Sequence, residues 1–115
     1  MHLVFNRVAD SKVNAMKLAV PTDFDILNAL SNDKRNTAVN LSHELDKNRS
    51  YINTRLPVLA DYGLVDRVGP AKNSGLYEIT EKGHVTLAKR EQYRTEGVDF
   101  DRLVANQLER ANASD

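Results

Sequence analysis

Between positions 22 and 62, apolar residues recur every three or four places, the spacing that puts them on one side of an α-helix. Phe24, Leu27 and Leu30 make the first stripe. Thr22 with Asp25 three residues on resembles a capping box at its start, and the polar turn Ser31-Asn32-Asp33-Lys34 ends it. Ala38, Leu41 and Leu45 make a second stripe, with Asn36 or Thr37 as cap. Asp46 and Lys47 lead to Asn48, the cap of a third helix over 48–62 in which Ile52, Leu56 and Leu59 face inward. Gly63 suits the left-handed position just past its end. Helices with such narrow apolar faces must pack on one another.

After Gly63 the period changes. Leu64-Val65-Asp66-Arg67-Val68 reads as a strand, residues 69–75 are dense in turn formers, and Leu76-Tyr77-Glu78-Ile79 resumes β character, predicting an open hairpin. Thr80 can cap a following helix with either Val85, Ala88 and Gln92 or Leu87, Ala88 and Glu91 inward, interrupted at Gly97. Asp99 restarts a helix over 99–111 with Phe100, Leu103, Val104, Gln107 and Leu108 on one side. At the other end a helix is expected from Asp10 or Ser11 to Ala19, with Val13, Met16 and Lys17 sharing a side and Pro21 stopping it. The order helix, helix, helix, hairpin, helix predicts an α+β fold, a winged helix-turn-helix with additional N- and C-terminal helices. Its core spans 21–80, between an N-terminal helical extension over 1–20 and C-terminal helices over 81–115.

The chain's 115 residues, 41% hydrophobic and 28% charged, fit one compact domain with an added element or two. The absence of Cys removes disulfides, thiolate metal sites and thiol redox sensing. Apolar runs of a few residues fall far short of the roughly 20 that span a bilayer, and the start lacks a signal-peptide core, so a soluble cytoplasmic protein is expected. Sixteen basic and sixteen acidic residues cancel, so net charge gives no support to nucleic-acid binding. The distribution says more: residues 47–75 carry five basic and two acidic groups, whereas 21–46 carry two and five.

Once Ile52, Leu56 and Leu59 face the core, Arg49, Ser50, Tyr51, Asn53, Thr54 and Arg55 are left wholly or partly outward in the first two turns of the third helix. Such a set can serve as a base- and phosphate-contacting surface: Arg pairs with guanine, Asn with adenine, Thr meets a thymine methyl, and hydroxyls donate to phosphate. It also fits a solvated helix face. Pro57 removes a donor inside the helix and either bends it to project the N-terminal half or is a local irregularity tolerated by packing. Lys72, Asn73 and Ser74 at the hairpin tip, with Arg67 at its base, can lie on a nucleic-acid backbone or in the minor groove, positioning rather than specifying.

His2, His43 and His84 lack the spacing of a helical metal pair, and no phosphate-cradling glycine loop, nucleophile elbow or paired-carboxylate pattern occurs, so neither metal, cofactor nor enzyme activity is expected. Asp23 and Asp25 are read as acids favouring the positive end of a helix.

Three segments carry a family resemblance. Asn36-Thr37-Ala38-Val39-Asn40-Leu41-Ser42-His43-Glu44-Leu45 looks like the second helix of winged-helix regulators. The run from Tyr51 to Val65, closing on Leu59-Ala60-Asp61-Tyr62-Gly63-Leu64-Val65, is similar to their recognition helix and first wing strand. Leu76-Tyr77-Glu78-Ile79-Thr80-Glu81-Lys82-Gly83 resembles the second wing strand and the next helix. Within that superfamily the chain most resembles small PadR-like and phage-repressor-like regulators of halophilic archaea, although proteins of that setting are usually strongly acidic and this one is neutral.

The resemblance implies a homodimeric transcription factor on a palindromic double-stranded DNA operator. It assigns Arg49, Ser50, Tyr51, Asn53, Thr54 and Arg55 to the major groove and Lys72, beside Asn73, to the wing. Because a winged core satisfies itself, the terminal stripes are expected to meet a second subunit through Val13, Met16, Phe100, Leu103, Val104 and Leu108, with recognition helices roughly 34 Å apart; the alternative is that both terminal elements fold back on their own domain. The competing reading is a winged-helix module that binds protein rather than DNA.

Overall fold

The computed structural model describes residues 15–69 and 75–113. Helix α1 (Thr22–Asp33), strand β1 (Arg35–Thr37), helices α2 (Ala38–Leu45) and α3 (Arg49–Asp61), strands β2 (Val65–Arg67) and β3 (Leu76–Ile79), helix α4 (Glu81–Ala88), a 3-10 turn (Arg90–Gln92) and helix α5 (Phe100–Ala113) follow in order. The strands form an antiparallel sheet in the order β1-β3-β2, with Asn36 opposite Tyr77 on one side and Val65 opposite Ile79 on the other.

Local signals set most boundaries. The Thr37 hydroxyl accepts from the Asn40 N–H, the Asn48 side chain from Tyr51 and the Thr80 hydroxyl from Gly83, so three of the four expected caps form. Gly63, at φ +80°, takes the left-handed step after α3, which lets the Leu64 N–H return to the Leu59 carbonyl at 2.9 Å. The core is built from Ile26, Leu27 and Leu30 of α1, Leu41 of α2, Ile52, Leu56 and Leu59 of α3, Leu64 just before β2, Val65 of β2 and Val104 of α5, all without solvent exposure.

Several expectations are corrected. Helix α1 starts after Pro21 with no side-chain cap, so Thr22 and Asp25 do not form a capping box, and the helix runs on through the expected turn to Asp33. β1 was not anticipated: Arg35, Asn36 and Thr37 carry no apolar alternation, and they become a strand only because Leu76–Ile79 is alongside to pair with. Helix α4 stops at Ala88, and its inner face is Gly83, Thr86 and Leu87, whereas Ala88, Glu91 and Gln92 are exposed. The chain turns there so that Tyr93 can enter an edge-to-face aromatic row, 5.7 Å from Phe24 and 5.1 Å from Phe100.

The expected N-terminal helix is also revised. Its portion before residue 15, with Val13, lies outside the described residues, and residues 15–19 are a strap that is neither helix nor strand. The strap's N–H groups are taken by side chains of distant elements. Met16 donates to Asp101 at 3.0 Å, Lys17 to the Tyr62 hydroxyl at 3.0 Å, Leu18 to the Tyr93 hydroxyl at 2.8 Å, and Ala19 to Asp23 at 2.8 Å. Met16 and Leu18 are thereby laid into the core.

The same core absorbs the stripe of α5. Met16, Phe100 and Val104, expected at a subunit interface, are buried within the single chain, while Leu103 and Leu108 remain half-buried.

Two packing predictions follow from α4. A Cβ on Gly83 would lie 2.2 Å from the Leu64 carbonyl oxygen and 2.6 Å from Ile79 Cγ1, so Gly83→Ala is expected to cost about 3 kcal/mol in urea unfolding, by forcing helix and sheet apart. The buried Thr86 hydroxyl has no hydrogen-bond partner, so Thr86→Val, which keeps the shape, is expected to raise stability by on the order of 1 kcal/mol.

Candidate nucleic-acid interface

Helix α3 divides its side chains by burial. Ile52, Leu56 and Leu59 are fully enclosed, and Arg49, Ser50, Asn53 and Thr54 are exposed together with Tyr51, which keeps 42% of its surface in solvent despite its ring. The Thr54 hydroxyl donates to the Ser50 carbonyl at 3.0 Å. Arg49 and Asn53 line one wall of a groove of about 320 Å³. Thr37, Ala38 and Val39 from the start of α2 and Gly75 and Tyr77 from the root of the wing line the rest.

This juxtaposition places α2's first turn, α3's first two turns and the β3 strand of the wing around one opening. Val39, 38% exposed, is an apolar member of the groove that the sequence reading left out of the site. Its signal was present, since the stripe Ala38, Leu41 and Leu45 leaves position 39 facing outward.

At the wing's base Arg67 stacks over the Tyr77 ring at 5.8 Å and donates to its hydroxyl at 3.2 Å, which holds the β2–β3 ladder next to the groove. Lys72 and Asn73, at the tip, lie outside the described residues.

Arg55 behaves differently from its neighbours. Its side chain is only 16% exposed, and its Nε and Nη2 reach Asp23 Oδ1 and Oδ2 at 2.9 and 2.7 Å. Hydrogen bonding to Asp23 holds the guanidinium above its usual pKa, with the charges of Asp23, Tyr51 and Tyr62 adding to this and burial opposing it. The structure therefore groups Arg49, Ser50, Tyr51, Asn53 and Thr54 on one surface and turns Arg55 inward. It also changes the reading of Asp23, which is a fully buried ion-pair partner rather than a cap.

Near the end of α2, the Glu44 carboxyl has its pKa raised by hydrogen bonding of its protonated form to Asp33, then by desolvation and by the Asp33 charge. Among the described residues no group of His, Cys, Asp or Glu could hold a metal ion, and no helix is long and apolar enough to cross a membrane.

A helix-turn-helix pair formed by α2 and α3, followed by a β2–β3 wing that closes on β1, defines a winged helix-turn-helix. Residues 21–66 match the family described as winged helix-turn-helix DNA-binding. The crystal structure of the oxidized form of MarR from E. coli is similar, with a TM-score of 0.50 and 22% identity over 76% of this chain, which spans 62% of that protein's length. No curated protein matches the sequence.

Two measurements probe these electrostatics. Asp23→Ala strands Arg55 beside the core and removes the acceptor for the Ala19 N–H, so a loss of about 3 kcal/mol is expected in chemical denaturation. For Glu44 the raised folded pKa means a stabilising contribution present in acid and lost as pH rises through that value. Glu44→Gln is therefore expected to raise the melting temperature at neutral pH and leave it unchanged in acid.

Proposed function

We propose that this protein is a transcription regulator that binds double-stranded DNA, with the first two turns of α3 in the major groove and the wing on the backbone or in the minor groove. The observation that carries this reading is the exposed polar surface of Arg49, Ser50, Tyr51, Asn53 and Thr54 on a helix whose apolar stripe, Ile52, Leu56 and Leu59, is wholly buried. Supporting it, the segment containing that helix matches a DNA-binding family.

The chemistry is suited to the task. Arg49 can fork onto a guanine edge or a phosphate, and Asn53, one turn on, can pair bidentately with adenine. Thr54, its hydroxyl turned to the backbone, offers a methyl for thymine. Lys72 and Asn73 would act from the wing tip as positioning contacts. The first turn of α2 brings Thr37 and Val39 to the same opening, where a phosphate strand would pass.

Two copies would bind a palindromic operator, their recognition helices about one turn of DNA apart. With Met16, Phe100 and Val104 enclosed, a dimer contact would fall on the half-buried flank of α5, where Leu103, Gln107, Leu108 and Ala111 follow one another, with Val13 as a further contributor. The finer kinship to PadR-like regulators of halophilic archaea rests on the three segments quoted above.

Selection of bound sequences from a randomised duplex pool, followed by binding of the selected duplex across a salt series, tests the proposal. The native protein is expected to enrich a consensus and to weaken as salt rises. Asn53→Ala is expected to cost about 1–3 kcal/mol on the selected site and little on random duplex, and Arg49→Ala to reduce the salt slope by about 1 or relax one base position. Binding that is absent, or indifferent to both substitutions, would falsify this reading and leave the face to a protein partner.

A further inference from the structure

We infer that Asp23 is a positioning residue for DNA recognition: through Arg55 and the 15–19 strap it sets the rotation and tilt of the N-terminal half of α3. This rests on the DNA-binding reading above and adds to it a residue that touches no DNA.

Three observations lead there. First, the contact is directional. Both carboxylate oxygens of Asp23 meet the guanidinium, at 2.9 and 2.7 Å, across 32 residues of sequence, and Oδ2 also accepts the Ala19 N–H at 2.8 Å. A bidentate fork fixes an angle as well as a distance, whereas apolar contact is non-directional. A rotation of about 20° around the helix axis would move a side-chain tip about 5 Å from that axis by about 1.7 Å, enough to break a bidentate contact between Asn53 and a base.

Second, Pro57 leaves a gap in the helix's hydrogen bonding. With no N–H at position 57, the Asn53 carbonyl lacks its helical donor, so α3, continuous from Arg49 to Asp61, is one bond short at the turn between its two halves. The C-terminal half has its own anchors: Thr80 donates to the Gly63 carbonyl at 2.6 Å and Lys82 to the Tyr62 carbonyl at 2.9 Å. The N-terminal half, which carries the outward polar set, is tied to α1 by Arg55.

Third, the strap completes the clamp from the far side. Arg55 Nη2 also reaches the Lys17 carbonyl at 3.4 Å, and the Lys17 N–H donates to the Tyr62 hydroxyl at 3.0 Å. Arg55 thus sits between the Asp23 carboxylate and the strap, with most of its donors committed within the chain.

The alternative is that Arg55 is itself a phosphate contact that merely rests on Asp23 in the free protein, and three variants separate the two. Arg55→Lys keeps the charge but not the fork, Arg55→Met keeps the length but not the charge, and Asp23→Asn keeps an acceptor for Ala19 while removing the anion. Each is first checked for cooperative melting. Binding to the duplex selected from the randomised pool and to random duplex is then measured across a salt series, and amide exchange over residues 49–56 and 58–61 is measured without DNA.

If Asp23 positions the helix, all three variants lower the ratio of selected to random binding about tenfold or more. The salt slope stays native, and exchange quickens over 49–56 but not over 58–61. Native behaviour of Arg55→Lys with a slope reduced by about 1 in Arg55→Met would overturn the inference and return Arg55 to the phosphate backbone. Unchanged exchange over 49–56 would overturn it as well. Should the native protein bind no duplex, the DNA reading falls, and the exchange measurement alone decides whether Asp23 seats α3.

Discussion

A fully buried carboxylate organises this small fold. Asp23, one residue into α1, has no contact with solvent, and an ionised carboxylate in such a place costs several kcal/mol unless charge and hydrogen bonds surround it. Its partners come from two directions. The Arg55 guanidinium approaches from α3 with both forks engaged, and the Ala19 N–H approaches from the strap. Satisfying one side chain therefore brings the 15–19 strap, α1 and α3 to a single point. Such an arrangement adds specificity of geometry more than net stability, since an apolar pair of equal volume could fill the space without fixing an angle.

The strap extends the same logic along its length. A non-helical segment laid over a helical domain has backbone N–H groups and no sheet neighbour to receive them. Here Asp101, Tyr62, Tyr93 and Asp23 serve as acceptors for four consecutive residues. Tyr93 also stands between the rings of Phe24 and Phe100, so a single side chain links strap, α1 and α5. The apolar side of α5 is occupied in this way by Met16, Leu18 and the aromatic row, which is why Phe100 and Val104 lie inside rather than on a free stripe.

What was legible in the sequence was local. Thr37, Asn48 and Thr80 cap helices through bonds spanning three residues, Gly63 ends a helix by its own φ, and Ile52, Leu56 and Leu59 declare a face by their spacing. The order of elements, and with it the winged helix-turn-helix, could be assembled from such signals, as could the outward set from Arg49 to Thr54. What was not legible depended on partners far along the chain. β1 is three polar residues made into a strand by β3, and the strap looked helical because Val13, Met16 and Lys17 happen to repeat at helical spacing. Asp23 looked like a helix-start acid because nothing local distinguishes a capping carboxylate from one awaiting an arginine 32 residues away.

The contrast between Arg49 and Arg55 shows how one residue type on one helix takes two physical roles. Six positions are nearly two turns, so the two side chains leave α3 at orientations some 120° apart, and that difference decides their surroundings. Arg49 opens on the groove beside Asn53 and the wing root, where its charge faces water. Arg55 meets α1 and the strap, where the Asp23 carboxylate is closed off from solvent. A guanidinium is suited to both, as a planar fork for a base or phosphate and as the partner of a buried carboxylate. In this domain the outward arginine is available to a ligand, whereas the inward one is committed to Asp23. The polar surface of α3 depends for its orientation on a contact hidden directly behind it.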